Sequence, residues 1–342
     1  MDMSVLTNSA LAVKIKAMKG KLLTATQYGG LIGCESVSEV AEYLKQNSVY
    51  SDIYKVANET GIHRGAMEMY LTDTNVDDYE KLYRFCGKEE RKLLDLIFSL
   101  YEINAIVKVA RSLYTKQTTS EELGDFLKRH IDIDTEKLSK AENMENLVEL
   151  LVNTEYYKPL KALLDNPSYK DVSIFDVEMT LNIVYYKKIM DFAKKIKNKS
   201  ERELFTRFYG SIIDILNINC VYRCRFNFNI ESEYIYGYII PYHFRISSDT
   251  VISMARAESR RALIEQIKQT PYANLIGDNF TIAFERFLKD MSCRILESHP
   301  YSMICLSCYF KLKEIENFNL ISIIEGIRYS LNKDEIQSLI IA

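Results

Sequence analysis

The chain has 342 residues, 47% of them hydrophobic and 27% charged, with a formal net charge of −3. That composition belongs to a folded protein rather than a disordered one, its length suits two or three domains, and its charge offers no global reason to expect nucleic acid as a partner. Only 12 glycines and 5 prolines are present, which favours long helices over strand-and-turn architectures.

At the N-terminus, MDMSVLTNSALAVKIKAMKGKLL has lysines threaded through its apolar positions and lacks the unbroken apolar core of a signal peptide. No window approaches the roughly 20 apolar residues needed to span a bilayer, so no transmembrane segment is expected. Leu11, Ile15, Met18 and Leu22 form a helical stripe after Asn8. Gly29-Gly30-Leu31-Ile32-Gly33 lacks both the lysine of a phosphate loop and the spacing of a dinucleotide fingerprint.

Three short signatures then recur in a fixed order. The first ends in tyrosine: LKQNSVY at Tyr50, LVNTEY at Tyr156 and IKQTPY at Tyr272, 106 and 116 residues apart. The second is a glutamate with leucine three positions on: Glu68/Leu71, Glu178/Leu181 and Glu285/Leu288. The third is an asparagine read as opening a helix, at Asn8, Asn104, Asn217 and Asn317, with Glu102, Asp214 and Glu314 preceding the last three. A basic residue follows in three copies, as Lys14, Arg111 and Arg223. Their common order predicts a triplicated unit of about 110 residues, with domains over 1–100, 101–213 and 214–342.

Periodicity makes the units helical: Ile106, Val109, Ala110 and Leu113 follow Asn104 at helical spacing, as Leu320, Ile323, Ile324 and Ile327 follow Asn317. The expected fold is all-α, three tandem homologous helical domains. FNFNIESEYIYGYIIPY, over 226–242, is the one place where a strand could hide. Glu68, Glu178 and Glu285 are read as carboxylates paired with a basic residue of a neighbouring helix, since a buried carboxylate needs a partner. Residues 187–199 carry Lys187, Lys188, Lys194, Lys195, Lys197 and Lys199 among apolar positions. Such a run is either a solvated helix face or a stripe facing an acidic partner or anionic headgroups.

Parts for catalysis are missing. His63, His130, His243 and His299 form no metal-binding pattern, and no nucleophile elbow occurs. The pairs Cys220/Cys224 and Cys305/Cys308 lie in apolar surroundings and read as packing residues. No catalytic, cofactor or metal residues are expected.

The closing stretch LKEIENFNLISIIEGIRYSL (312–331), with YIIPYHF (238–244) and TPY (270–272), resembles the C subunit of the V-type and archaeal-type rotary ATPases, a relative of the d subunit of eukaryotic V-ATPases. The resemblance implies a funnel-like, pseudo-threefold, all-α socket that is not itself an enzyme. It also implies central-stalk subunits and the membrane proteolipid ring as partners, with torque passed between them for H+ or Na+ transport. Its expected place is peripheral, on the cytoplasmic face of the membrane. The alternative is a helical adaptor that binds a protein or peptide outside any rotary motor.

Overall fold

The computed structural model describes residues 3–53, 64–115, 133–166, 172–276 and 279–341. The elements in order are α1 (Met3–Lys19), α2 (Ala25–Gly33), α3 (Val37–Asn47), α4 (Arg64–Tyr83), α5 (Lys88–Thr115), α6 (Thr135–Leu138), α7 (Met144–Glu149) and α8 (Tyr157–Leu164). They continue as α9 (Ile174–Lys195), α10 (Lys199–Phe226), α11 (Ser232–Ile235), α12 (Ser248–Ala255), α13 (Arg260–Lys268), α14 (Phe280–Ser298), α15 (Ile304–Arg328) and α16 (Lys333–Leu339). The described residues are about 75% helical and contain no strand, so the fold is all-α as expected. The 226–242 segment, where a strand was conceivable, is the end of α10, then α11 and a short 3₁₀ turn.

Local chemistry sets the helix starts. Thr24 with Gln27, Ser173 with Asp176 and Asn332 with Glu335 form reciprocal capping boxes at α2, α9 and α16. Asn143, Asn198 and Asn279 cap α7, α10 and α14 with single side-chain bonds. Each side-chain oxygen takes up an amide that the first turn leaves unpaired.

The chain divides into two compact units, Met1–Leu94 with Asp278–Ala342, and Asp95–Gly277. The first unit is discontinuous because both chain ends feed one core. Leu31, Val40, Leu44, Ile53, Met67 and Leu71 of the N-terminal part pack with Leu320, Ile323 and Ile324 of α15 and Ile336 of α16. Neither set alone could bury its apolar face. Of the glycines in α2, Gly30 serves this packing: a Cβ there would stand 2.3 Å from the Tyr43 hydroxyl.

The second unit is built around α9 and α10, joined by a three-residue turn, with α8 packed on α9 and α12 and α13 on α10. Its core includes Leu181, Ile189, Phe205, Ile213, Ile215 and Val221. Positions 100/101 and 213/214 fall within α5 and α10.

Leu181 is fully buried in α9. Leu181→Ala should lower the unfolding free energy by about 2–5 kcal/mol through the cavity it leaves. On the exposed face of the same helix, Lys187→Ala should change it by no more than about 0.5 kcal/mol. Urea titration followed by circular dichroism reads both.

Candidate functional site

The polar residues that organise this molecule are three tyrosines and the carboxylates they meet. Tyr50, Tyr156 and Tyr272 are each buried, and each follows a hydroxyl residue two positions back. The tyrosine amide donates to that hydroxyl in all three: Ser48 at 3.1 Å, Thr154 at 3.2 Å and Thr270 at 3.2 Å. This turn aims the ring at a long helix. Tyr50 donates its hydroxyl to Glu316 on α15 at 2.5 Å, Tyr156 to Glu102 on α5 at 2.7 Å, and Tyr272 to Asp214 on α10 at 2.8 Å.

Each carboxylate is satisfied differently. Glu316 also accepts the Leu23 amide at 2.5 Å and pairs with Lys313 at 3.4 Å, a buried cation that donates to the Tyr50 hydroxyl at 2.7 Å. Asp214, fully buried, has no such cation in its bonds; the amides of Phe244, Arg245 and Ile246 donate to it at 3.0, 2.6 and 3.3 Å. Glu102 is half-buried. Burial and the adjoining carboxylate raise the hydroxyl pKa of Tyr50, Tyr156 and Tyr272 above the usual phenol range. Burial and Asp78 do the same for Tyr309 in the first unit, while burial and Asp52 push Tyr70 to about 12.

The sequence signatures are placed as follows. None of Asn104, Asn217 and Asn317 opens a helix; they lie inside α5, α10 and α15 respectively. Asn104 is exposed, and Asn317 donates to Asn75 at 3.2 Å. Asn217 is buried and clamps the Ile240 backbone, donating to its carbonyl at 3.0 Å and accepting its amide at 2.9 Å. Its counterpart in α15 is Asn319, which clamps Ile341 at 3.0 and 2.7 Å. The carboxylate of that copy is correspondingly Glu316, whereas Glu314 pairs with Lys311 at 3.2 Å. Spacing does not separate the two candidates: Asp214-Ile-Leu-Asn217, Glu314-Ile-Glu-Asn317 and Glu316-Asn-Phe-Asn319 are all acid-x-x-Asn. The side chain of Asn8, and all of His63 and His130, lie outside the described residues.

Glu178 accepts from Arg111 at 2.8 Å and Glu285 pairs with Lys311 at 3.0 Å, both across helices. Burial alone would lower the Lys311 pKa, but Glu314 and Glu285 outweigh it and hold it raised. Glu68 differs from expectation: its bond is to Arg64 of its own helix, at 2.8 Å. Across α9, the turn after it and the start of α10, Ile189, Met190, Phe192, Ala193 and Ile196 are buried, and Lys187, Lys194, Lys195, Lys197 and Lys199 are exposed. Lys188 bonds Glu155, and Lys194 pairs with Asp191 within α9 at 2.8 Å.

Chemistry beyond packing finds little to use. Among the described residues no group of three His, Cys, Asp or Glu side chains is placed to hold a metal, and no helix is long and apolar enough to cross a membrane. Cys220 and Cys224 face each other at 3.8 Å inside the second unit; that contact and burial raise the Cys220 pKa, which suppresses its thiolate. Cys308 is likewise raised, chiefly by burial. The second unit carries a polar cleft of about 420 Å³ bordered by Arg245, Asp249, Gln266 and Thr270.

Two outcomes test the tyrosine contacts. Tyr50→Phe should cost about 1–3 kcal/mol in urea unfolding, because it strands a buried charge pair, and Tyr156→Phe should cost less beside half-exposed Glu102. The pH dependence follows from the raised phenol values. These groups stay protonated in the folded state after their unfolded counterparts ionise near pH 10. Their contribution is therefore complete below about pH 9 and lost above pH 10, at up to about 1.4 kcal/mol per pH unit for each group. Phenolate absorbance should rise in two steps, exposed tyrosines ionising at about pH 10 as free phenols do and the buried ones only as the protein unfolds.

Residues 11–339 match the model of the family described as ATP synthase (C/AC39) subunit. The C subunit of the A-type ATP synthase of Methanosphaera stadtmanae is 22% identical over 348 residues, covering 96% of this chain and 86% of that protein. Its namesake in Methanocaldococcus jannaschii is 23% identical over 350 residues, covering 96% and 85%. That of Thermococcus kodakarensis is 23% identical over 326 residues, covering 94% and 81%. With the family model matched over all but the two ends, this chain belongs to the ATP synthase (C/AC39) subunit family.

Proposed function

We propose that this chain is the central-stalk socket of a V-type or A-type rotary ATPase, linking the rotating stalk to the membrane proteolipid ring and passing torque between them for H+ or Na+ transport. The observation that carries the reading is the family match over residues 11–339. As a member of that family the chain is an accessory subunit and not the catalytic one. The proposed partners are the stalk subunits and the ring, and the proposed place is peripheral, on the cytoplasmic face.

The internal chemistry supports this role. A torque-bearing part must transmit strain with little compliance, and a close-packed helical core does so. The buried tyrosine–carboxylate contacts add directional bonds that fix small bundles on long helices. Their threefold recurrence is also the support for a triplicated ancestry, with the domain spans 1–100, 101–213 and 214–342 and the funnel-like pseudo-threefold arrangement as parts of the proposal. The repeated residues Glu68, Glu178, Glu285, Asn104, Asn217 and Asn317 are assigned structural roles in it. The exposed lysines of residues 187–199 are its candidate surface for an acidic partner.

Membranes reconstituted with and without the protein test the reading, with ion pumping and ATP hydrolysis measured side by side. Hydrolysis by the soluble head should persist without it while pumping is lost. Pumping that stays coupled in its absence overturns the proposal. Charge reversal at Lys195 and Lys197 should weaken assembly most at low salt. Assembly and salt dependence that match the wild type would assign those lysines to a solvated face.

A further inference from the structure

Each unit has a corner of the same build, filled in the second unit by that unit's own side chains and left open in the first. Hydrogen bonds put the two corners in register. Asn217 clamps Ile240 after α10 as Asn319 clamps Ile341 after α15. Each long helix is left through a left-handed residue, Asn229 at φ 55° and Ser330 at φ 56°. The next amide turns back in both, Ile230 to the Cys224 carbonyl at 2.7 Å and Leu331 to the Gly326 carbonyl at 2.9 Å.

In the second unit this corner is plugged. The Arg223 guanidinium lies 4.7 Å from the Phe175 ring centroid and 5.6 Å from that of Phe228, and the two rings are 4.6 Å apart. Tyr238 packs on Phe175 at 5.3 Å and donates to Asp176 at 2.6 Å. The first unit changes every one of these residues. Nine positions past the locking carboxylate stands Glu325 instead of Arg223. Two positions before the clamped isoleucine stands Leu339 instead of Tyr238. The first buried side chain of the packing helix is Ile282 instead of Phe175, and the residue before the left-handed turn is Tyr329 instead of Phe228.

Glu325, Leu339 and Ile282, each smaller than its counterpart, leave a groove of about 450 Å³, bordered also by Phe318, Tyr329 and Leu331. Tyr329 is 71% exposed, while Leu331 and Leu339 are each 36% exposed. Glu325 contributes a carboxylate that is only 17% exposed; its Oε1 accepts from Arg328 at 2.5 Å. The cation that borders the groove, Arg64, is held by Glu68 at 2.8 Å and lies within electrostatic reach of Glu325 as well. An apolar slot with an exposed aromatic ring and one recessed carboxylate matches a planar cation on an apolar stem. The vacated ring volume matches an aromatic side chain beside it.

We infer that this groove is a docking site for a protein segment that presents an arginine next to an aromatic residue, taking the place that Arg223 and its rings occupy in the second unit. Binding here is a property of the groove alone and does not depend on the rotary reading.

Fluorescence anisotropy with the full chain tests it, using two labelled alanine-rich helical peptides. One presents phenylalanine and arginine on successive turns; in the other, glutamate replaces the arginine. The first should bind saturably and the second at least about tenfold more weakly. The double variant Ile282→Phe/Glu325→Arg, which imitates the plug, should keep its melting temperature and bind the first peptide at least about tenfold more weakly. If that variant is destabilised, Leu331→Lys at the groove edge, which removes apolar contact and repels the arginine, decides, with the same loss expected. The inference is overturned if neither peptide binds, if both bind equally, or if the groove variants bind as the wild type does. Concentration-dependent self-association of the wild type that the plug abolishes would assign the groove to a second copy and overturn it as well.

Discussion

A phenol buried in a helical core and a carboxylate buried on a long helix are each costly alone, because each loses water that nothing apolar can replace. Brought together, one donates and the other accepts, and both costs are removed by a single contact. Tyr50 with Glu316 and Tyr272 with Asp214 are two versions of this bond, and Tyr156 with half-buried Glu102 is a third, partly solvated one. Everything around them is arranged to keep the remaining valences filled. The Ser or Thr two residues earlier fixes the turn, and Lys313 or three backbone amides complete the carboxylate.

The first unit shows how far such a bond can organise a chain. Tyr50 and Glu316 are separated by 266 positions, yet their contact lies at the centre of a core drawn from both chain ends. α15 supplies the apolar surface against which α2, α3 and α4 bury theirs, and the ion pair with Lys313 fixes the register of that face. A buried pair of this kind adds little net stability over apolar residues of similar size. Its contribution is specificity: only one rotation of α15 brings Glu316 to Tyr50 and Asn319 to Ile341 together.

Similar frameworks with different fillings separate the units chemically. The clamp and left-handed turn are alike after α10 and α15, so the backbone course there is set by the same hydrogen bonds. What lies in the corner is then free to vary. An arginine packed on a pair of touching rings makes it self-sufficient in the second unit, whereas a glutamate beside aliphatic residues and an exposed tyrosine leaves it open in the first.

The sequence by itself carried the helical class, because scarce glycine and proline and a period near 3.6 are local properties that a helix needs wherever it packs. It also carried the family, through the closing stretch 312–331, and the tyrosine signatures, which recur as strings. What it did not carry was the pairing. Acid-x-x-Asn in α10 and α15 reads as a weak local pattern, and Asn317 stands as near to an acidic residue as Asn319 does. Only the packed helix decides between them, since residues two apart on a helix point in directions about 200° apart and just one can face the core. In the same way the asparagines resembled helix starts, yet the long helices run through them, because tertiary packing overrides a local capping preference. The joining of the two chain ends, and with it the meeting of Tyr50 and Glu316, was likewise decided by the need of each half to bury an apolar face that neither could cover alone.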